Sequence, residues 1–326
     1  MSYFLAGDIG GTKTLLQIGA ADGAHELLPQ KFYLNARYAG LAEILDEFLR
    51  EAGAPSIAAA CFALACPISG RRVTLTNLPW EVDADALAAR FAIPRVSLIN
   101  DFEAVGLGIA ALRPADLLTL QPGEPQAQGV RMVAGAGTGL GVAWLSWQDG
   151  GYAVHPSEGG HMDFAPTDAI QCELLQYLQQ RTGHVSYERI VSGSGIVAIM
   201  EFLRDTGRGV PSMQLVAAMG ENAAAAITQF AQQGDEPIAH MALDLFLRVY
   251  GAFVGNVALA TLPRGGVYVA GGIAEKISTA MRHGVFLRSF LDKGRYAGLL
   301  ETLPLHIVAN QRVGLLGAGL VAQRMN

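Results

Sequence analysis

Apolar and polar positions alternate along this chain at two periods, and the change of period marks its elements. Residues 3–6 and 15–18 form short, mainly apolar runs that flank Gly7-Asp8-Ile9-Gly10-Gly11-Thr12-Lys13-Thr14. Residues 130–134 and 142–145 flank Gly135-Ala136-Gly137-Thr138-Gly139-Leu140-Gly141 in the same way. Each pattern predicts a β-hairpin with a glycine-rich tip. After the first hairpin, Leu41, Ile44, Leu45, Phe48 and Leu49 recur at helical spacing, and Gly53 and Pro55 close that helix. Residues 57–65 read as a buried strand, 66–70 as a turn and 73–76 as a short strand. Asp83 is a plausible N-cap for a helix through Phe91, stopped before Pro94. Residues 96–99 form a strand that ends at Asn100-Asp101, and a helix follows to about Leu112. This alternation predicts an α/β layer with a largely buried sheet.

Residues 113–128 are rich in Pro, Gln and Gly, which predicts a domain boundary. The second hairpin, several helices and an alanine-rich segment (220–233) follow. Then come a strand at 267–270, the turn Gly271-Gly272, a helix from Ile273, a strand at 305–308 and a terminal helix at 314–323. The terminal helix is expected to pack back on the first domain. The expected division is a small α/β domain of residues 1–112 plus 306–326, and a large α/β domain of residues 113–305. Two glycine hairpins, each heading its own α/β segment, suggest an internal duplication.

Composition narrows the function. Of 326 residues, 51% are hydrophobic and 16% charged, ample for buried cores and against disorder. The formal charge is -6 and no run of Lys or Arg occurs, so neither nucleic acid nor a membrane surface is expected as a partner. An anionic ligand must then be held by backbone N–H groups and a metal ion. The cysteines, Cys61, Cys66 and Cys172, are odd in number and sparse, which fits a reducing compartment. No second Cys or His pair stands beside Cys61 and Cys66, so these read as buried thiols. No basic segment precedes the first turn, and no uninterrupted apolar stretch reaches the ~20 residues of a membrane span. A cytoplasmic location is expected.

The chemistry lies in the turns. Glycine tips expose successive N–H groups, which form a concave site for an anion. Two such sites suggest a polyphosphate gripped from both sides. Asp8 beside Gly10-Gly11 would repel phosphate unless a cation intervened, and Mg²⁺, held by Asp8 through water, meets that need. The Gly-x-x-x-x-Gly-Lys-Ser/Thr loop is absent, as are the protein-kinase sets. Loose Gly-x-Gly-x-x-Ala matches at 106–111 and 317–322 lack the β-α-β context and read as chance. Asn100-Asp101 is either a helix cap or a general base projecting beyond a strand end. Glu158-Gly159-Gly160-His161 places an acid and a His on one turn, which suits a hydroxyl-rich ligand better than a metal. Glu188 is a further acceptor or a solvated helix residue.

Together these motifs resemble the bacterial glucokinase family, in the hexokinase-like branch of the actin/Hsp70/sugar-kinase superfamily. The resemblance runs through Gly7 to Thr12, Ala65-Cys66-Pro67-Ile68-Ser69-Gly70, Thr76-Asn77-Leu78-Pro79-Trp80 and Ile99-Asn100-Asp101-Phe102. It continues through residues 135–141, 158–166 and 183–189, Ser192-Gly193, Ala270-Gly271-Gly272-Ile273 and Gly314-Leu315-Leu316-Gly317. It implies two actin-like (ribonuclease H-like) domains with an active-site cleft between them, and ATP-dependent phosphorylation of the glucose 6-hydroxyl. Asp101 would be the catalytic base, with Asn100, Glu158, His161 and Glu188 on glucose. Gly7, Asp8, Ile9, Gly10, Gly11 and Thr12, with Gly137, Thr138 and Gly139, would hold the phosphates. Gly271 and Gly272 would lie near the adenosine. A homodimer is implied on the same ground.

Lys13 stands where relatives often have Asn, and Ser194 where Pro is usual; both bear on nucleotide affinity. The neighbouring ROK sugar kinases carry a Cys-rich zinc motif that this chain lacks. The competing expectations are a kinase of another hexose and a non-catalytic, sugar-sensing regulator. Such regulators append a DNA-binding module, for which no room is expected ahead of the first turn.

Overall fold

The computed structural model describes residues 3–20, 30–76 and 78–325, so Asn77 of the Thr76-to-Trp80 motif lies outside the described residues. The chain divides into two compact units, one of residues 1–115, 154–156 and 312–326, the other of 116–153 and 157–311.

The first unit runs β1 (Tyr3–Ile9), β2 (Lys13–Ala20), β3 (Lys31–Leu34), α1 (Leu41–Glu51), β4 (Ile57–Leu64), β5 (Arg72–Thr74), β6 (Glu81–Asp83), α2 (Ala84–Phe91), β7 (Arg95–Asn100) and α3 (Asp101–Gly108). Its main sheet has the order β3-β2-β1-β4-β7. The β1–β2 and β2–β3 pairs are antiparallel, while β1, β4 and β7 run parallel. Strand β4 shows why the sheet is sealed on both sides. Ala60, Phe62 and Leu64 join Ile44, Leu45 and Phe48 of α1 in one core, while Cys61 and Ala63 enter a second core on the other face. That is the period-2 alternation of a strand buried on both faces. Burial raises the Cys61 thiol well above its ordinary pKa. Asp83 caps α2 through the amides of Asp85 and Ala86, as its position predicts.

The second unit runs β8 (Leu117–Gln121), β9 (Arg131–Ala136), β10 (Leu140–Gln148), β11 (Gly151–Ser157), α4 (Ala169–Thr182), α5 (Gly193–Asp205), α6 (Met213–Gln233), α7 (Pro237–Thr261), β12 (Gly266–Ala270), α8 (Gly272–Lys276), α9 (Ser278–Arg282), α10 (Val285–Leu291), α11 (Ala297–Glu301) and β13 (Leu305–Val308). The sheet order is β11-β10-β9-β12-β13-β8, with β9, β12 and β13 parallel. Apart from the added strand β8, this repeats the order of the first sheet, so the duplication suggested by the hairpins holds at the level of strand topology. Helix α7 is long and apolar enough for a membrane span, yet most of it is buried within this unit's core.

The last helix, α12 (Val313–Arg324), packs on α3 and β1 in the first unit. Strand β13 pairs with β12, so the chain returns to the first unit at Arg312 and not at residue 306. The α3–α12 contact explains the two Gly-x-Gly-x-x-Ala matches. A Cβ at Gly317 would lie 1.8 Å from the Ala104 carbonyl oxygen, and one at Gly108 would lie 2.0 Å from that of Val313. The glycines let two helix backbones touch.

Candidate active site

The first glycine turn closes when the Gly10 N–H donates to the Lys13 carbonyl at 2.9 Å. A residue absent from the motif holds it there. Asn35, which follows β3 and is buried, donates from Nδ2 to the Gly10 carbonyl at 2.8 Å, and its backbone N–H donates to Thr12 O at 3.0 Å. Its Oδ1 accepts from the hydroxyl of fully buried Thr14 at 2.8 Å. Every polar end of the amide is thus spent on the hairpin, as a buried amide requires. The sequence carried no signal for Asn35, because its role depends on the pairing of β2 with β3 across a segment without a motif.

The other groups of the first unit gather at the carboxyl ends of its parallel strands. Ile9, Leu64 and Asn100 stand in register across β1, β4 and β7. Ligands of open α/β sheets bind beyond such ends. Asn100 caps α3: its Oδ1 accepts from the amides of Phe102 and Glu103 at 2.9 and 3.2 Å, and its Nδ2 donates to Cys66 O at 3.1 Å. Asp101 opens α3 and is half-buried.

Asp8, also half-buried, accepts no hydrogen bond on its carboxylate among the described residues. Its pKa is raised from 3.8 to about 7, by burial first and by the charge of Asp101 second. Glycine at 314, in the first turn of α12, leaves room for this carboxylate, since a Cβ there would lie 2.8 Å from Oδ2. Among the described residues no cluster of three or more His, Cys, Asp or Glu could cage a metal. One under-bonded carboxylate does suit Mg²⁺ that keeps its waters and binds phosphate.

In the second unit the structure brings Glu158, His161 and Glu188 together. His161 Nε2 lies 4.0 Å from Glu158 Oε2 and 3.9 Å from Glu188 Oε1. Residues Gly159–His161 form a 3₁₀ turn, and His161 N donates to Glu158 O at 2.9 Å. Glycine is obligatory at 160, where a Cβ would meet Leu140 O at 1.9 Å. Glu188 sits in the 3₁₀ turn Tyr187–Arg189, beside Tyr187, which is buried and accepts from Asn256 at 2.9 Å.

The second glycine turn lies against this cluster. Gly137 N donates to Gly139 O at 2.8 Å, and Gly193 N donates to Gly137 O at 2.9 Å. Ser192 caps α5 through Gly195 N at 3.1 Å, and its hydroxyl lies 3.1 Å from that of Ser194. The glycines of the turn differ in purpose. A Cβ at Gly139 would lie 2.5 Å from Glu188 Oε2, so this glycine makes room for a protein side chain. At Gly137 a Cβ would meet nothing within 4 Å, and the residue is not among those with positive φ. Neither backbone conformation nor packing demands glycine at 137; open space beside exposed Thr138 suits a ligand. Gly271 has φ +90° and would crowd Ala136 O at 2.5 Å if given a Cβ, whereas Gly272 opens α8 facing free space.

A glucokinase family model matches residues 5–325. The chain belongs to the glucokinase family. It is 44% identical to a glucokinase of Nostoc sp. PCC 7120 over the whole of both chains. Among solved structures it resembles a glucokinase from an Antarctic psychrotroph, with TM-score 0.83, 25% identity and 99% of each chain covered. It also resembles the Balamuthia mandrillaris glucokinase determined in complex with glucose, with TM-score 0.82, 23% identity, and 98% of this chain and 93% of that one covered. Membership makes the chain an ATP-dependent glucose kinase and its units actin-like.

Proposed function

We propose that Asp101 is the general base of the transfer and that Glu158, His161 and Glu188 hold the sugar. The observation that carries this reading is the position of Asp101, half-buried at the carboxyl end of β7 as the first residue of α3. The neighbouring Asn100 caps α3 through Oδ1, and its Nδ2, which has a second hydrogen beside the one given to Cys66 O, would contact the sugar as the resemblance implies. In the reaction the glucose 6-oxygen forms a bond to the γ-phosphorus, the bond from that phosphorus to the β–γ bridging oxygen breaks, and ADP leaves. The hydroxyl proton passes to the Asp101 carboxylate. Phosphoryl transfer asks for positioning and charge stabilisation more than for covalent chemistry.

The turn amides supply the positioning for phosphate. Gly11 and Thr12 present one set of amides and Thr138 and Gly139 the other, while Gly10 and Gly137 spend their N–H groups on closing the turns, and Gly271 and Gly272 lie toward the adenosine. Gly7 contributes by packing, since a Cβ there would lie 2.6 Å from Phe62 Cδ1. Asp8 would hold Mg²⁺ through water, and the ion would neutralise charge on the phosphates. The carboxylates of the sugar cluster accept sugar O–H groups, and two acids disfavour an anionic substrate. A cytoplasmic homodimer completes the proposal.

ADP release tests it, measured with glucose, fructose, mannose and N-acetylglucosamine in turn. Glucose-dependent release is expected. Release driven by another sugar and not by glucose would reassign the substrate.

A further inference from the structure

The Glu188 carboxylate has two oxygens with two addresses. Oε1 lies 3.9 Å from His161 Nε2, in the sugar cluster. Oε2 accepts from the Leu140 N–H at 2.9 Å, at the last amide of the second glycine turn. The same residue is gripped on its other side, because Gly160 packs within a missing Cβ of the Leu140 carbonyl. Gly139 lacks a Cβ where Oε2 sits. These contacts all lie within one unit.

We infer that Glu188 is a positioning residue for the nucleotide-binding turn, separate from its role on glucose. This rests on the reading that the amides at 138–139 hold phosphate. Without the Oε2 acceptor the Leu140 N–H has no fixed partner, and the turn before it loses its anchor at that end. A purely electrostatic role predicts the opposite. A carboxylate beside a phosphate site repels the ligand, so deleting it should tighten nucleotide binding.

The test is titration with the non-hydrolysable analogue AMPPNP and Mg²⁺ without any sugar, so that lost glucose binding cannot enter the readout. Glu188→Ala should weaken AMPPNP binding about tenfold, the loss expected of one hydrogen bond to a charged group. Glu188→Gln keeps an oxygen that can accept from Leu140 N–H, so its affinity should stay within about threefold of the parent or improve. Both should weaken glucose binding. Hydrogen exchange of the peptide containing Leu140 gives a readout independent of affinity: faster in Glu188→Ala, unchanged in Glu188→Gln. Equal or tighter AMPPNP binding by Glu188→Ala overturns the inference, as does unchanged exchange at Leu140.

Gly137→Val separates the two levels. If it leaves AMPPNP binding unaltered, the turn is not the phosphate site, and the reading beneath the inference fails with it. If it weakens binding while Glu188→Ala does not, only the positioning role fails.

Discussion

In the first unit the glycine turn is braced by a neutral amide, Asn35, sealed from solvent and bonded wholly to its own hairpin. In the second unit the equivalent turn, on a sheet of the same strand order, is braced by a carboxylate that also faces an exposed histidine. The first brace is insulated by burial; the second belongs to a cluster of ionisable groups. One scaffold therefore serves two tasks. In the first unit it holds a rigid turn next to two crowded carboxylates, Asp8 and Asp101. In the second it joins a turn to the cluster of Glu158, His161 and Glu188. The duplication supplies strands and loops, and single side chains set what each tip does.

The difference can be broken at either tip. The largest effect is expected at Asp101, where Asp101→Asn should reduce kcat by ~10²–10⁴-fold, the usual worth of a general base. Glucose affinity, from direct titration, should stay within about tenfold, because the base acts mainly in the transition state. Near-normal turnover would remove Asp101 from that role. Next, Glu158→Ala should weaken glucose binding by about 10–100-fold, as expected for a lost charged hydrogen bond. Its nucleotide affinity should hold, since among the described residues it is Glu188 that bonds the turn, at Leu140 N.

On the first tip, Asn35→Ala should raise KM for ATP by roughly tenfold and lower Tm, because it strands the Gly10 carbonyl and the Thr14 hydroxyl. KM for glucose should scarcely move. A parallel rise in both constants would mean that Asn35 supports the whole unit and not the turn. Asn35→Asp sharpens the point: it can still accept from Thr14 but cannot donate to Gly10, so KM for ATP should again rise.

Much of this was legible in the sequence, for reasons that differ by element. The hairpins, the α2 cap at Asp83 and the strand ending at Asn100 announced themselves through local period and capping chemistry. The convergence of Glu158 with His161 followed from the two glycines between them, and Glu188 joined them as the resemblance implied. What stayed hidden was non-local. The third strand, Lys31–Leu34, is short and buries only Tyr33 of its apolar run Phe32-Tyr33-Leu34, so nothing in it names β2 as its partner. Asn35 acts through that strand. The glycines at 108 and 317 resembled a weak nucleotide motif, and only the crossing of α3 with α12 reveals them as packing residues. The return to the first unit at Arg312 depends on β13 choosing β12, a partner that no local pattern names.

The smallest effect concerns Asp8 and pH. Its folded pKa of about 7 exceeds the ordinary 3.8, so the native state favours the protonated acid. That contribution is fully present below about pH 4 and is lost as pH rises through about 7. Without nucleotide or metal, Asp8→Asn should therefore gain Tm relative to the parent at pH 8 and gain less at pH 5. An identical difference at both pH values would show that Asp8 ionises normally.

A crystal structure of the protein with glucose and AMPPNP bears most directly on the division of labour between the two tips. It should show the Asp101 carboxylate within hydrogen-bond reach of the sugar 6-hydroxyl, Glu158, His161 and Glu188 on the other hydroxyls, and the amides at 138–139 on phosphate oxygens. Asp101 turned away from the sugar, or phosphates bound clear of both glycine turns, would contradict it.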